Sequence, residues 1–562
     1  QAKTLFPYTT LFRSDLLKAL GMSDSQAIKT AIECAAATKT FIEFGEGTYT
    51  LDEQIRMDER HAGIRGIKGA GMGKTNIVFN WEQPENWDAN SNRTDARRWC
   101  GLIVDSLPDV TLEDFTIEYK GTFHWKGETY RGSVMNIMMV DTTNGLVQRV
   151  ESKGSNRIGI FFTSHNGEVI ALGEEFKKGR ITLEQLREST IKASGNRAID
   201  CHSHHNRVAG IAYAWQKDFQ AFNNYCHHNG HEANGGTGYG ITALSGSLNF
   251  GLNTMIKGNK LERNYRKGLD SHDAVDFIAE ENNILDNRLH GFAYENRQYP
   301  VAYIRFVRNS IHFNGTFVLE RDENVADGAQ LDLNMDYYRE SGIRIEIKQQ
   351  PWQQWVTQVN PEIIIEDNTI EGMNKIDTIQ RGSYWCIEYR NNDQEAKPVT
   401  KIRRNRITGN GRLTSFLSAF AKAPAVKYGM GDFTFSDNIL ECEYCDGVPF
   451  YVEENSNAAN DHSVIIENNI AKVTSKNTVT KATSLKAADK LFFRNNQLHL
   501  PADFGRPTSR FYVGNPAAQI SFTDNDIYTQ SLINQVRANW LDNSVSANTV
   551  IQRNRVLTIN YL

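Results

Sequence analysis

The clearest pattern in the chain is a short phrase that recurs between Asn196 and Asn554: an asparagine, one spacer residue and an aliphatic residue. Its copies are Asn259-Lys260-Leu261, Asn282-Asn283-Ile284, Asn309-Ser310-Ile311, Asn368-Thr369-Ile370, Asn405-Arg406-Ile407, Asn438-Ile439-Leu440, Asn468-Asn469-Ile470, Asn496-Gln497-Leu498, Asn525-Asp526-Ile527 and Asn554-Arg555-Val556. Most intervals are roughly 23 to 37 residues, the range in which sequence repeats indicate stacked structural units. The pattern therefore predicts a solenoid.

The residues between the copies indicate which kind of solenoid this is. Short runs rich in Ile, Val, Phe and Tyr alternate with Asn, Asp and Gly, and no long stretch has helical periodicity. An asparagine tolerates a left-handed backbone, and its amide can donate and accept hydrogen bonds at once. Amides stacked about every 4.8 Å can form a ladder while the following aliphatic residue enters the core. The sequence predicts an all-β fold, a right-handed parallel β-helix.

Composition agrees with a large repeat protein. The chain has 562 residues, of which 40% are hydrophobic, and a formal net charge of −5. A protein of this charge is not expected to bind nucleic acid. Insertion into a membrane is not expected either. The seven cysteines are predicted to be mostly reduced core residues, because the pair Cys442 and Cys445 lacks the second pair that a structural zinc site needs.

Three segments divide the chain. Residues 1–14 (QAKTLFPYTTLFRS) fit nothing that follows and look like translated adapter sequence, so a signal peptide or attachment domain is expected to be missing from the start. Residues 15–60 are predicted to form an N-terminal cap. Residues 61–562 are predicted to form the β-helix, with insertions near 168–190, which has helical spacing, and near 319–340, which is acidic.

The predicted cap carries the first resemblance to known proteins. Ser23 and Gln26 form a capping-box pattern ahead of an apolar helical stripe, and the alternating run from Phe41 to Leu51 follows. This block resembles the opening of the pectate-lyase-like superfamily, which includes polysaccharide lyases and bacteriophage tailspikes. The resemblance implies a polysaccharide ligand and an extracellular or virion-surface location. A homotrimer, the assembly of tailspikes, is left open.

Aligning the coils on a glycine followed by an aliphatic residue places the candidate chemistry in two columns. Alternation puts the aliphatic residue inside and the residues two and four places after the glycine outside. Upstream these outer pairs are uncharged, as at Thr242 and Leu244. Downstream they are Asp270 and His272, Ala293 and Glu295, Arg344 and Glu346, then Glu388 and Arg390, with Lys267, His290, Arg297 and Lys348 at strand ends. The columns predict either an active site or a solvated strand face with opposite charges paired.

A second resemblance covers some thirty residues at this place. The segment 267–273 (KGLDSHD), continuing to 290–292 (HGF), resembles mannuronan C5-epimerases, whose active coil carries Tyr-Gly-Phe-Asp-Pro-His. The resemblance implies that His272 is the general base or acid and that Asp270 is its partner. It also implies that a cation, Arg297 or Lys267, neutralises a uronate carboxylate.

This sequence departs from that family at three points, one of which is that Arg297 lies one place later on its strand than the family arginine. Lys267 stands in the place of tyrosine and Ser271 in the place of proline. A tyrosine acid or base would then be missing unless Tyr265 or Tyr294 substitutes for it.

The predicted reaction is cleavage of an acidic, uronate-containing polysaccharide by β-elimination. The predicted catalytic residues are His272, Asp270, Lys267 and Glu295. The predicted substrate contacts are Arg297, Arg344, Glu346, His290, Tyr294, Asp273, Lys348 and Arg390. In this scheme a base removes the C5 proton while positive charge holds the adjacent carboxylate.

Three other functions stay open. A pair of carboxylates, Asp270 with Glu295 or Glu295 with Glu346, could act as a glycoside hydrolase. A C5-epimerase would use the same base and return the proton from the other face. A non-catalytic glycan-binding tailspike or adhesin shaft is the third option.

No cofactor is predicted, and no motif supports bound calcium. Six histidines concentrate upstream of the charged columns, at His202, His204, His205, His227, His228 and His231. They are predicted to be turn and surface residues, some facing sugar hydroxyls, with a transition-metal site as the alternative. No metal ligand is assigned from the sequence.

Overall fold

The structure, a computed structural model, describes most of the chain. The described residues are 21–81, 99–122, 134–230, 237–244, 250–296, 298–313, 339–348, 355–356, 360–372, 383–413, 415–421, 426–445, 448–455, 458–459, 461–474, 483–487, 489–499, 511–513, 519–529 and 549–558. Residues 1–14, most of the predicted insertion at 319–340, His231 and Arg297 lie outside them. The chain divides into unit 1, residues 1–176, 183–270 and 319–334, and unit 2, residues 177–182, 271–318 and 335–562.

Unit 1 begins with a helix and continues as coils of parallel strands. The helices are α1 (Asp24–Thr38), α2 (Asn166–Lys177), whose last residue counts with unit 2, and α3 (Leu183–Glu188), and a 3₁₀ turn covers Glu59–His61. The strands are β1 (Phe41–Glu43), β2 (Gly47–Leu51), β3 (Ile55–Met57), β4 (Gly66–Lys68), β5 (Thr75–Phe79), β6 (Cys100–Asp105), β7 (Thr111–Tyr119), β8 (Met135–Val140), β9 (Leu146–Lys153), β10 (Ile158–Thr163), β11 (Arg197–Ile199), β12 (His202–His204), β13 (Ala209–Tyr213), β14 (Gln216–Lys217), β15 (Gln220–Phe222), β16 (Tyr225–His227), β17 (Tyr239–Ala243), β18 (Gly251–Leu252), β19 (Thr254–Lys257), β20 (Lys260–Glu262) and β21 (Lys267–His272).

Unit 2 repeats the same coil. Its strands are β22 (Asp276–Glu280), β23 (Asn283–Leu285), β24 (His290–Glu295), β25 (Tyr303–Val307), β26 (Ser310–His312), β27 (Arg339–Lys348), β28 (Glu362–Glu366), β29 (Thr369–Glu371), β30 (Ser383–Asn392), β31 (Val399–Arg403), β32 (Arg406–Leu413), β33 (Ser415–Ala421), β34 (Asp432–Ser436), β35 (Ile439–Cys445), β36 (Phe450–Glu454), β37 (Ser463–Glu467), β38 (Ile470–Val473), β39 (Thr483–Lys486), β40 (Lys490–Arg494), β41 (Gln497–His499), β42 (Phe511–Val513), β43 (Gln519–Thr523), β44 (Asp526–Thr529), β45 (Thr549–Gln552) and β46 (Arg555–Thr558).

In each unit most strands pair in parallel with the equivalent strand of the next coil, which gives three ladders, while β14 and β18 of unit 1 form a separate two-stranded sheet. The last two residues of β21, Ser271 and His272, count with unit 2. In unit 2 the ladders run β24-β27-β30-β33-β36-β39-β42, β22-β25-β28-β31-β34-β37-β40-β43-β45 and β23-β26-β29-β32-β35-β38-β41-β44-β46. In unit 1 one ladder runs β3-β6-β8-β10-β13-β17-β21, and β7 and β9 are long enough to serve both other ladders. This arrangement confirms the predicted parallel β-helix.

The N-terminal helix confirms the predicted capping box. The Ser23 hydroxyl accepts a hydrogen bond from the backbone of Gln26, and the Gln26 side chain accepts one from the backbone of Ser23. Ala27, Ile28 and Ile32 are buried on one face of the helix. The helix therefore covers the apolar interior at the first coil, where an open end would expose strand edges and core residues to water.

The predicted asparagine ladder is present. In unit 2 each ladder amide accepts at Oδ1 from the backbone N–H and the Nδ2 of the preceding ladder asparagine. Asn438 Oδ1, for example, lies 2.9 Å from Asn405 N and 3.0 Å from Asn405 Nδ2. Asn438 itself donates to Asn469 Oδ1 at 2.9 Å and to the carbonyl of Ile402 at 3.1 Å. These polar groups are buried, so each amide provides the hydrogen bonds that water would otherwise provide to its neighbours.

One detail of the prediction was wrong: the ladder asparagine is not the left-handed residue. The positive φ belongs to the residue before it, as at Arg404 (57°), Asp437 (57°) and Gly258 (68°). The sharp bend therefore lies one position upstream, where aspartate, arginine and glycine are all accepted. The asparagine is needed for its amide, which explains why its identity varies less than that of its neighbour.

Replacing a ladder asparagine should destabilise the protein strongly. Asn438→Ala leaves two buried N–H donors of Asn405 without their acceptor, which costs about 1–3 kcal/mol for each group. Chemical denaturation followed by circular dichroism should show a clearly lowered midpoint. Asn76→Ala is the matched control, because its amide donates only to Gly73 O at an exposed site. Equal midpoints for the two variants would contradict a stabilising role for the ladder.

Candidate functional site

The strands of unit 2 align the predicted charged residues in the expected register. Ala293 is opposite Arg344, which is opposite Glu388. Glu295 is opposite Glu346, which is opposite Arg390. We call His272, Glu295, Arg344, Glu346, Glu388 and Arg390 the charged cluster of unit 2. The two predicted columns are confirmed over these three strands, including Glu388, which the sequence offered only as a candidate.

Unit 1 contains the other predicted acid and cation. Asp270 is opposite Thr242 on the neighbouring strand, as the column alignment predicts. The Asp270 carboxylate lies 2.6 Å from Lys267 Nζ and accepts from the Thr242 hydroxyl at 2.9 Å. Lys267 Nζ also lies 5.7 Å from the centre of the Tyr239 ring, where a cation is attracted to the π face. Lys267 and Asp270 thus form a buried ion pair.

The expectation that these columns are exposed was wrong. Asp270 and His272 are 1% and 2% exposed, and Glu388 is fully buried. A strand face that only needed to be soluble would leave its charges in water. Burying ionised groups is costly unless each is paired and hydrogen-bonded, so these residues are retained at an energetic cost.

His272 and Glu295 form the pair with the clearest acid–base geometry. The Nδ1 atom of His272 lies 3.9 Å from Oε2 of Glu295, and Glu295 is partly accessible to solvent while His272 is buried. A carboxylate at this distance favours a ring orientation in which Nδ1 faces it. The opposite ring nitrogen is then the atom suited to exchange a proton with a substrate.

Four of the cluster residues form a network of opposite charges. Arg344 donates to Glu346 at 2.9 Å and lies 3.8 Å from Glu388. Arg390 pairs with Glu388 and lies 4.0 Å from Glu346. Arg390 also stacks on the Phe420 ring at 4.6 Å. Two positive and two negative charges alternate across adjacent strands, so the network is neutral.

Two neighbouring residues, Ser341 and His290, are linked to this network by hydrogen bonds. The Ser341 hydroxyl donates to Glu388 at 3.2 Å, and the Ser341 backbone N–H donates to His290 Nδ1 at 3.2 Å. His290 therefore carries its lone pair at Nδ1 in this arrangement. Sequence patterns alone did not single out Ser341, because a serine in a strand carries no distinctive signal.

Several predicted substrate contacts take part in the fold itself. The Asp273 carboxylate accepts from the backbone N–H groups of Gln298 and Tyr299 at 2.6 and 3.3 Å. The Tyr294 hydroxyl donates to the Ala274 carbonyl at 2.6 Å inside the coil, away from the charged cluster. Lys348 ends β27 and is described only in its backbone. The substrate role of these residues stays a prediction.

The upstream histidines converge more closely than predicted. In unit 1 one ring nitrogen from each of His202, His204 and His227 lies within 4.8 Å of the others, the only such metal-capable group among the residues that the structure describes. Glu151 Oε1 lies 3.1 Å from His204 Nε2, so a carboxylate stands beside the histidines.

The cysteines lie mostly in the core, as the sequence predicted. All seven cysteines are free and six are buried. Burial raises the pKa of the Cys201 thiol to about 12, so the thiol stays protonated and unreactive. Among the described residues no helix is long and apolar enough to cross a bilayer.

Comparison with known proteins gives distant structural similarity. No family model matches the chain, and no curated protein sequence matches it. The mannuronan C-5 epimerase AlgE4 A-module of Azotobacter vinelandii is 14% identical, over 73% of this chain and 98% of its own, with a TM-score of 0.41. A GH87 alpha-1,3-glucanase catalytic domain in complex with nigerose is 12% identical, over 96% of this chain and 66% of its own, with a TM-score of 0.38. The Dettilon tailspike protein is 7% identical, over 91% of this chain and 66% of its own, with a TM-score of 0.39.

Within the charged cluster, we expect the buried residues to stabilise the fold and the solvent-accessible residues to contribute less to stability. Glu388→Gln should lower the free energy of unfolding by about 3–5 kcal/mol, because it leaves a buried arginine without its partner. Glu295→Gln should have a much smaller effect, because Glu295 keeps contact with water. Urea unfolding of both variants measures the difference.

A surface pair provides the reference for that comparison. Glu441→Gln removes the exposed ion pair with Lys472, whose two atoms are 3.0 Å apart, and should change stability by less than about 1 kcal/mol. If Glu388→Gln is no more destabilising than this variant, the network does not stabilise the fold.

Proposed function

We propose that the protein is a carbohydrate-active enzyme that cleaves an acidic polysaccharide by β-elimination, with its chemistry at the charged cluster of unit 2. The observation that carries the proposal is the buried His272 ring 3.9 Å from the Glu295 carboxylate, beside strands that carry Arg344 and Arg390. A histidine titrates near neutrality, which suits it to remove the weakly acidic proton beside a uronate carboxylate.

The proposed reaction needs a base, positive charge and a proton for the leaving group. His272 takes the C5 proton, and the electron pair forms the C4–C5 double bond as the C4–O bond breaks. The departing oxygen takes up a proton from solvent, and His272 returns the C5 proton to solvent. Lys267 and Asp270 of unit 1 keep the roles given by the sequence, proton transfer and orientation, and Arg297 keeps its role as a carboxylate clamp. These three roles are predictions from the sequence.

The arginine pair supports an acidic substrate. A guanidinium has five N–H donors in a rigid fork, so an arginine that is already paired with a glutamate retains capacity for a second carboxylate. Arg344 and Arg390 are held in place by Glu346 and Glu388. A sugar carboxylate would therefore meet donors whose positions are fixed before it binds, which lowers the entropic cost of binding.

Glycoside hydrolysis is the second candidate function. The register places Glu295 directly opposite Glu346 on adjacent parallel strands. Two neighbouring carboxyl groups are the machinery of glycosidases, and like charges side by side favour protonation of one of them. The ion pair between Glu346 and Arg344 counts against this function, because it already engages the Glu346 carboxylate.

The test is a screen of acidic polysaccharides with product analysis. We expect products with the ultraviolet absorbance of unsaturated uronates, and His272→Ala should lower the rate at least about 100-fold, the usual contribution of a general base. Saturated products of lower mass would instead indicate the hydrolase, and unchanged polymer length with altered sugar composition would indicate the epimerase. Binding without any product would indicate a glycan-binding shaft.

A second histidine–glutamate pair is the matched control. His312 Nδ1 lies 3.4 Å from Glu371 on a different ladder of unit 2. His312→Ala should leave the rate unchanged. If His272→Ala cleaves as fast as the His312→Ala variant, the proposed role of His272 is wrong.

A further inference from the structure

The histidines of unit 1 arise from a repeated phrase on consecutive coils. The segments 202–206 (HSHHN) and 225–229 (YCHHN) are in register, with His202 opposite Tyr225 and His204 opposite His227. Residues two apart on a strand share a face, so these histidines project from the same side, while Ser203 and Cys226 between them are buried inside. This cluster lies outside the charged cluster of unit 2.

The three rings meet through their nitrogen atoms. Nε2 of His202 lies 2.6 Å from Nε2 of His227, and the rings of His204 and His227 are stacked at 4.7 Å with 6° between their planes. Imidazole nitrogens bound to one tetrahedral zinc ion at about 2.0–2.1 Å stand about 3.4 Å apart. The observed distances, from 2.6 Å up to a limit of 4.8 Å, bracket that value. Small side-chain rotations therefore bring the three nitrogens into a coordination geometry.

We propose that His202, His204 and His227 bind a divalent transition-metal ion of the zinc type. Three imidazole nitrogens are the ligand set that zinc, copper, nickel and cobalt accept, whereas calcium and magnesium require oxygen ligands. With three protein ligands, a fourth position is open to water or to a carboxylate.

The ring nitrogens that do not face the ion already have partners. Nδ1 of His204 lies 2.7 Å from Nδ1 of His205, and Nδ1 of His227 lies 2.7 Å from Nδ1 of His228. When these Nδ1 atoms carry the proton and donate it, the Nε2 atoms of His204 and His227 keep their lone pairs for an ion. A hydrogen bond from the second ring nitrogen is the usual support of a metal-binding histidine.

Glu151 supplies negative charge at the same place. Its carboxylate lies 3.1 Å from His204 Nε2 and 3.9 Å from His202 Nδ1. The carboxylate can take the fourth coordination position or balance the charge of the ion.

A purely structural stack of rings is the competing explanation. Stacked aromatic side chains on successive coils occur elsewhere in this chain, as at His499 and Tyr528 with ring centres 4.1 Å apart. That pair contains one histidine, whereas His202, His204 and His227 each bring a ring nitrogen within 4.8 Å of the others. Stacking of rings alone does not require this convergence of three nitrogens.

The test is metal binding by the untagged, full-length chain. After removal of metals with a chelator, ZnCl₂ titration by calorimetry should show one ion bound per chain. His202→Gln and His227→Gln should each weaken binding by at least about 100-fold, more than the loss usually caused by outer partners of a ligand. His499→Gln, the matched control, should bind as the unchanged protein does.

A cobalt spectrum gives a readout that does not depend on any variant. The unchanged protein with one equivalent of CoCl₂ should show the visible absorption of a tetrahedral cobalt site with nitrogen ligands. Absence of stoichiometric zinc binding together with absence of this absorption would overturn the proposal. So would zinc binding that survives in both cluster variants, whose folding is checked by circular dichroism.

Discussion

The structure depends on the vertical hydrogen bonding of buried asparagine amides. In unit 2 the amides of Asn282, Asn309, Asn368, Asn405, Asn438, Asn469, Asn496, Asn525 and Asn554 follow one another, each accepting from the one before. The same amide also donates to a backbone carbonyl of the neighbouring coil, as Asn405 does to Ile365. A shift of one residue would break several buried hydrogen bonds at once and turn every side chain to the opposite face. The ladder therefore fixes which residues lie above one another.

Fixed register is what makes a buried network of charges tolerable. Glu388 is fully buried, and its charge is balanced by Arg390 on its own strand and Arg344 on the neighbouring strand, while the Ser341 hydroxyl donates to it. In a less rigid sheet a slip would leave an unpaired charge in the interior, at a cost of several kcal/mol. The coil architecture thus supplies the preorganisation that such a site requires, since its ligands and charges are held before a substrate arrives.

The sequence predicted the features that the repeat itself determines. It did not predict the features that depend on contacts between distant segments. The asparagine phrase and the glycine-aliphatic alignment were sufficient for the fold and for the columns of Glu295, Arg344 and Arg390. The burial of Asp270 and His272 was not predicted, because burial of an outward-facing strand position depends on residues outside the repeat. The left-handed residue was misplaced by one position, because glycine, aspartate and arginine all occur there and leave no single signature.

The carboxylate beside the histidines was missed for a similar reason. His202 pairs with Glu151, yet 51 positions separate them, well beyond the usual coil length, because α2 and α3 interrupt the chain between β10 and β11. An alignment by repeat length cannot cross such an interruption, and it therefore compares each coil with the wrong neighbour. In such an alignment the three histidines look like unrelated surface residues. When the residues of α2 and α3 are left out of the count, Glu151 aligns with His202 and Lys153 aligns with His204. The cluster then follows from the stacking of consecutive coils. An insertion in a solenoid thus separates two residues in the sequence while they remain neighbours on adjacent strands. Functional sites in such chains are best sought from the strand register rather than from the number of residues between candidates.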